Sequence, residues 1–203
     1  MIHITGTNRV YSLLLRFFMK FDYMGKNVII APSCDIHRVA TPYIHLGNNV
    51  SLGKDVWLNI PCEALAPVKN SPIIRICNCV AIGRRCTISG VHRIEIGEKA
   101  LFGPGVFITD HSHEFEKPAM PIKDQGITEG GTIIIEDGCW LGHNSAVITS
   151  RGREIRIGQN SIIGANAVVT QSFPANSVLV GAPARNVGRI SRIPHGQSPE
   201  SGG

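Results

Sequence analysis

With 203 residues, 43% of them hydrophobic and 17% charged, the chain has the composition of one globular domain with a sizeable buried core. Its 22 Gly and 12 Pro suit an all-β chain with many tight corners better than a helical bundle. The formal charge of +5 and a pI near 9.0 favour anionic partners, but no block of five or six like charges and no nucleic-acid-binding motif occurs. No nucleic-acid partner is therefore expected.

Residues 1–30 read as an irregular N-terminal capping segment, in which Leu13-Leu14-Leu15, Phe17-Phe18-Met19 and Phe21 are interleaved with Arg9, Arg16 and Lys20. Closing the end of a core is one task for it; a basic, apolar contact with a membrane surface is the other. The apolar stretch Tyr11–Phe21 is broken by Arg16 and Lys20, and no small-residue cleavage site follows, so it does not read as a secretory signal. It also falls short of the roughly 20 apolar residues that a spanning helix needs.

From residue 31 to 190 a repeat governs the chain. Aliphatic or aromatic anchors recur every six positions, usually with Gly next: Leu46, Leu52, Leu58; Ile76, Ile82, Ile88; Ile96, Phe102, Ile108; Ile135, Leu141, Val147; Ile157, Ile163, Val169. A small or β-branched residue commonly sits four after each anchor, as at Val50, Cys86, Ala100, Cys139 and Ser161. A period of six is neither helical nor a simple alternation. It predicts a short strand plus a corner, with Gly or Asn taking the unusual backbone angles at the corner; three such sides close a triangular coil, and coils stack as parallel sheets. A β-sandwich with Gly-rich turns would not hold five phase-locked triplets of anchors. The repeat is interrupted at Pro61–Ser71, at 109–131 and at Thr149–Glu154, and such excursions from a rigid scaffold are where function concentrates. The tail at 191–203 reads as disordered.

The six cysteines do not form a disulfide framework by spacing. Several occupy repeat positions that want a small buried side chain, and Cys77-Asn78-Cys79 has no second pair for zinc. Reduced thiols in a cytoplasmic protein, with the inner membrane surface as the alternative site of action, are the expectation.

Three segments carry a family resemblance: Phe102–Phe115 (FGPGVFITDHSHEF), Ile133–Ile148 (IIIEDGCWLGHNSAVI), and Ile157–Thr170 followed by Gly181-Ala-Pro-Ala-Arg185. In this order they resemble the hexapeptide-repeat acyltransferases, specifically the maltose/galactoside acetyltransferase-like group and the O-acetyltransferases of bacterial surface-polysaccharide assembly. The likeness covers roughly residues 45–190. It implies a left-handed parallel β-helix, although a left hand goes against the usual crossover rule. It further implies acetyl-CoA as donor without a metal, a homotrimer with active sites between neighbouring coils, and a sugar or saccharide acceptor.

Acetyl transfer to a hydroxyl needs a general base, a task that suits imidazole. Relatives place the catalytic His about five positions beyond the last anchor, as Ser-His followed by an acidic and an aromatic residue. Ser112-His113-Glu114-Phe115 matches that phrase after Ile108, which makes His113 the first choice and His111 the second; two solvated loop histidines are the alternative. Asp110 or Glu114 would orient the ring or touch the acceptor, and Trp140 matches a family tryptophan that contacts substrate or packs outside the sheet. By residue-wise match His143, Ala165, Thr170 and Arg185 fall at the coenzyme-contacting places. Gln171 stands where relatives commonly carry Lys, so Arg151 or Arg153, in an insertion replacing a shorter corner, would restore positive charge near the coenzyme 3′-phosphate. No Cys or Ser stands in a nucleophile motif, although Cys139 beside Trp140 remains to be placed. Other functions within reach of the same repeat are transfer to an antibiotic or an amino-sugar nitrogen, a γ-class carbonic anhydrase, and a non-catalytic scaffold.

Overall fold

A computed structural model describes residues 6–61 and 72–190. Helix α1 (Gly6–Phe18) precedes six coils of three strands each. The first coil is β1 (Tyr23–Met24), β2 (Ile29–Ile30) and β3 (Asp35–Ile36); the second is β4 (Ile44–Leu46), β5 (Ser51–Leu52) and β6 (Trp57–Asn59). Then come β7 (Ile74–Ile76), β8 (Ala81–Ile82) and β9 (Thr87–Ser89), and β10 (Arg93–Ile96), β11 (Leu101–Phe102) and β12 (Phe107–Thr109). The last two coils are β13 (Thr132–Ile135), β14 (Trp140–Leu141) and β15 (Ala146–Ile148), and β16 (Glu154–Ile157), β17 (Ile162–Ile163) and β18 (Val168–Val169). Strands one coil apart pair in parallel, so that β1 to β16, β2 to β17 and β3 to β18 build three faces of a prism. Strand β19 (Ser177–Val180) extends the second face, and β20 (Arg185–Arg189) ends it antiparallel.

The anchors meet inside the prism. Leu52, Ile82, Phe102, Leu141 and Ile163 stack on the second face, and every anchor named above is buried. Asn and Gly take the expected angles at Asn49, Asn144, Asn160, Asn166, Gly105 and Gly138, and other residues take them at equivalent corners. The backbone turns left-handed three positions after an anchor, at Asn49, Asp55, Cys79, Arg85, Lys99, Asn144, Asn160 and Asn166, with φ between 53° and 60°. Glycine directly after the anchor serves close stacking instead: a Cβ on Gly97 would lie 2.6 Å from the backbone nitrogen of Asp137 one coil on. Asn recurs at the turning position because its short polar side chain tolerates that region.

The N-terminal boundary needs correction. Among the described residues, 6–30 hold helix α1, which does the capping, and strands that begin at Tyr23, so the first coil straddles the expected boundary at residue 31. The helix buries Ser12 and Leu15, while Met24, Ile30 and Ile36 continue the six-residue spacing backwards as buried anchors. The tail at 191–203 and most of the Pro61–Ser71 interruption, Cys62 included, lie outside the described residues.

Corners differ by edge. Between the first and second faces, and between the second and third, each corner has four residues, such as 47–50 and 53–56. Between the third face and the first, the connections run from three residues (90–92) to twenty-two (110–131). All three interruptions of the repeat leave from this one edge.

Cys86 and Cys139 fill inner corner positions, fully buried, and donate weak hydrogen bonds to the carbonyls of Gly103 at 3.2 Å and Gly158 at 3.3 Å. Burial pushes each thiol from its ordinary 9.0 up to about 11. Because the folded value is raised, the thiols' contribution to stability is complete below pH 9 and is lost as pH rises through 11, up to about 3 kcal/mol each. The melting temperature of wild type should therefore fall more steeply across that window than that of a Cys86→Ala, Cys139→Ala double variant. Parallel curves in a calorimetric pH series would dismiss the effect.

Candidate active site

The longest excursion leaves β12 after Thr109 and returns to β13 at Thr132. It is a folded arm. Its base is closed by Gly131 N–H to Asp110 O at 2.7 Å, Thr128 N–H to Ser112 O at 2.8 Å, and an antiparallel bridge between His113 and Ile127. At the far end Gln125 ties the backbone of Lys117 and Met120, which leaves Phe115, Met120 and Ile122 exposed.

Asp110, the arm's first residue, is completely buried. Its carboxylate accepts the backbone N–H groups of Val91 at 2.9 Å, His92 at 2.9 Å and Arg93 at 3.0 Å, all from the short corner between β9 and β10. The same carboxylate lies 3.1 Å from His111 Nδ1, and the His111 side chain is only 11% exposed. A carboxylate can only accept, so Nδ1 carries the proton and Nε2 is left as the acceptor. Thr109 Oγ1 adds a contact at 3.3 Å to Nδ1. The arrangement is an oriented imidazole with a fixed carboxylate behind it, the geometry of a general base.

His113 is different. It lies two residues further out, exposed, and its ring has no partner among the described residues. The structure thus gives the orienting group to the second choice of the two histidines. Asp110 is too deeply buried to touch an acceptor, and Glu114 is engaged by Arg151 Nη2 at 2.9 Å. Asp110 thus holds the root of the arm from inside, and Glu114 ties the arm to the 149–153 corner.

Arg151 sits at a left-handed backbone position (φ 57°) in the 149–153 corner, bonded through its N–H to Glu129 O at 2.9 Å. Its guanidinium reaches the arm, pairing with Glu114 and Glu116 and lying 5.3 Å from the Phe115 ring centroid. Both halves of its fork face carboxylates of the arm. Arg153 is exposed, with no side-chain partner among the described residues. Arg151→Ala should loosen the arm without unfolding the coil: trypsin cleavage at Lys123 should accelerate about tenfold with little change in melting temperature, and Arg151→Lys should recover part of the protection. Unchanged cleavage would show that the arm holds itself.

His143 and Ala165 are stacked on successive coils at the corner between the second and third faces, where Asn166 N–H bonds His143 O at 2.9 Å. Thr170 follows β18 and aligns over Ile148 and Thr109, on the arm's edge. Arg185 opens β20 and is exposed. The expected coenzyme positions are therefore split: His143 and Ala165 line one edge of the third face, while Thr170 shares the opposite edge with His111. Trp140 is half-exposed on the second face, paired with Leu101. Cys139 beside it points inward with its thiol pushed up to about 11, which removes it as a nucleophile at neutral pH. Among the described residues, no group of three His, Cys, Asp or Glu could hold a metal ion. The backbone donors that fix Asp110 were not foreseeable, because N–H groups leave no mark in a sequence.

A family model described as the hexapeptide repeat of succinyl-transferase matches residues 132–171. The chain is 35% identical over 165 residues to a Mycobacterium tuberculosis protein named as an acetyltransferase, covering 74% of this chain and 53% of that protein. It is 34% identical over 104 residues to WbbJ of Escherichia coli, named as a lipopolysaccharide biosynthesis O-acetyl transferase, covering 48% of this chain and 51% of that one. The chain thus spans about half the length of these curated relatives. Among solved structures, a mutant of AntD, an N-acyltransferase from Bacillus cereus in complex with dTDP and coenzyme A, superposes with a TM-score of 0.69 at 18% identity, covering 95% of this chain and 93% of that one. That likeness concerns the fold, which is a left-handed parallel β-helix. By its repeat, its three-faced prism and these relatives, the chain is a hexapeptide-repeat protein similar to the acetyltransferases that share this repeat.

Proposed function

We propose that this chain is an acetyl-CoA-dependent O-acetyltransferase whose acceptor is a hydroxyl of a sugar or saccharide precursor. The observation that carries the reading is the Asp110–His111 pair at the root of the arm. The names of the relatives point to acetyl transfer and, for WbbJ, to lipopolysaccharide.

His111 Nε2 takes the proton of the acceptor hydroxyl, and the oxygen attacks the carbonyl carbon of the acetyl thioester. The C–S bond breaks, and the imidazolium returns its proton to the departing coenzyme thiolate. Asp110 holds the ring and stabilises the imidazolium in between. No acyl-enzyme forms. The edge that bears His143 and Ala165 lies across the third face from His111, a separation that favours a homotrimer with the donor lying between neighbouring copies. The donor and the free thiols fit a cytoplasmic site of action.

A thiol-release assay with acetyl-CoA and a panel of sugars, nucleotide sugars, amino sugars and a streptogramin tests the reading. Release with a saccharide, and a product whose acetyl group is removed by mild base, is the expected result. An alkali-stable amide product would move the acceptor to nitrogen. Absence of release with every acceptor, together with stoichiometric bound metal, would overturn acetyl transfer altogether.

A further inference from the structure

Helix α1 presents two apolar faces. Ser12 and Leu15, with the half-buried Tyr11 and Met19, face the first coil, where Ser12 Oγ accepts the N–H of Ile30 at 2.8 Å. Val10, Leu13, Leu14, Phe17 and Phe18 follow one another at i, i+3, i+4, i+7 and i+8 and form one stripe on the other side. All five are exposed, Phe17 to 82%. Capping the coil requires only the inner face, the outer stripe packs on nothing among the described residues, and a contiguous apolar patch of this kind marks a contact surface.

Charge says what kind. The helix contains no acidic residue. Arg9 and Arg16 lie on its flank between the two faces, Lys20 and Lys26 follow, and all four are exposed. Arg16 Nη1 donates to Met24 O at 2.8 Å, which fixes the side chain without neutralising it. Asp22, the one carboxylate between residues 6 and 34, is paired with His45 at 3.1 Å. Between the helix and the first two coils runs a cleft of about 550 Å³, with Arg9 and Arg16 on its wall.

We infer that α1 is a docking element for an anionic bilayer surface. The stripe enters the boundary between headgroups and acyl chains, and Arg9, Arg16, Lys20 and Lys26 meet lipid phosphates. No helix among the described residues is long and apolar enough to cross a membrane, so α1 lies in the plane of the interface. A second copy of the chain is a poorer occupant. Thirteen residues give a helix about 20 Å long, and five side chains on one face of it expose less apolar surface than the ~800 Å² per partner of a stable interface. Pairing two such helices would also bring their cations together.

The test is co-sedimentation of the full chain with vesicles of phosphatidylcholine alone and of phosphatidylcholine mixed with phosphatidylglycerol. Wild type should pellet with the mixed vesicles and not with phosphatidylcholine. Leu13→Ser with Phe17→Ser should weaken binding about tenfold at unchanged melting temperature. Arg9→Gln with Lys20→Gln should weaken it and flatten its salt dependence. Failure of wild type to bind the mixed vesicles, equal binding by the Leu13→Ser, Phe17→Ser variant, or a solution mass that drops in that variant because the stripe covers a second copy, would each overturn the inference.

Discussion

His111→Ala should lower acetyl transfer to an accepted saccharide by about 100- to 10,000-fold, while His113→Ala should cost no more than a few-fold. The difference rests on position. His111 is largely buried at the arm's root, its Nδ1 held by a carboxylate that is itself held by three backbone donors. An imidazole fixed in this way loses no time in unproductive rotamers and presents Nε2 in one direction. The exposed ring of His113 has no such support among the described residues. The loss in His111→Ala should appear in kcat, with the KM for acetyl-CoA little changed, because the ring acts on the proton and not on the coenzyme. Retained activity in His111→Ala with loss in His113→Ala would reverse the assignment.

Asp110→Ala should be the most damaging single change to the fold. It strips an acceptor from the N–H groups of Val91, His92 and Arg93 at a site closed to water. Leaving buried donors unsatisfied costs about 1–3 kcal/mol each, and a loss of about 3–5 kcal/mol is expected after local relaxation. At about 2–4 °C per kcal/mol for a domain of this size, melting should fall by roughly 10 °C. His111→Ala, which leaves those three bonds intact, should melt close to wild type. A positioning role predicts more than instability. ¹⁵N-imidazole NMR on the folded fraction should show His111 losing its single Nδ1–H tautomer in Asp110→Ala. An unchanged tautomer would mean that Thr109, not Asp110, orients the ring.

The coil was legible because each anchor reports its own position: Leu52, Ile82, Phe102, Leu141 and Ile163 point inward for the same reason and six residues from a neighbour. The first coil escaped notice although it obeys the same spacing. Met24, Ile30 and Ile36 are buried anchors, but only Met24 is followed by Gly, and the preceding leucines and phenylalanines drew attention to a separate segment. Those residues carry a helical period, Val10 to Leu14 to Phe17 on one side and Ser12 to Leu15 to Met19 on the other, which was readable and was not read. The site was legible as a place and not as an arrangement. Ser112-His113-Glu114 marks the loop that carries the oriented imidazole, but the backbone donors that hold Asp110 lie 17 to 19 positions earlier in the chain, where no motif points. The partners of Arg151 lie 35 and 37 positions earlier in the chain, where its own sequence neighbours do not point.

The unequal edges of the prism have an evolutionary consequence. Two of the three corners tolerate no change in length, since one added residue would throw every later anchor out of phase with the coil beneath it. The third corner absorbs anything from three to twenty-two residues and returns the chain to the same register each time. Insertions and deletions are therefore channelled to a single line down the molecule, where segments from adjacent coils lie about 4.8 Å apart and become neighbours. A descendant of this chain could acquire a new acceptor by lengthening one loop on that line, with the scaffold, and so the machinery that orients His111, inherited unaltered.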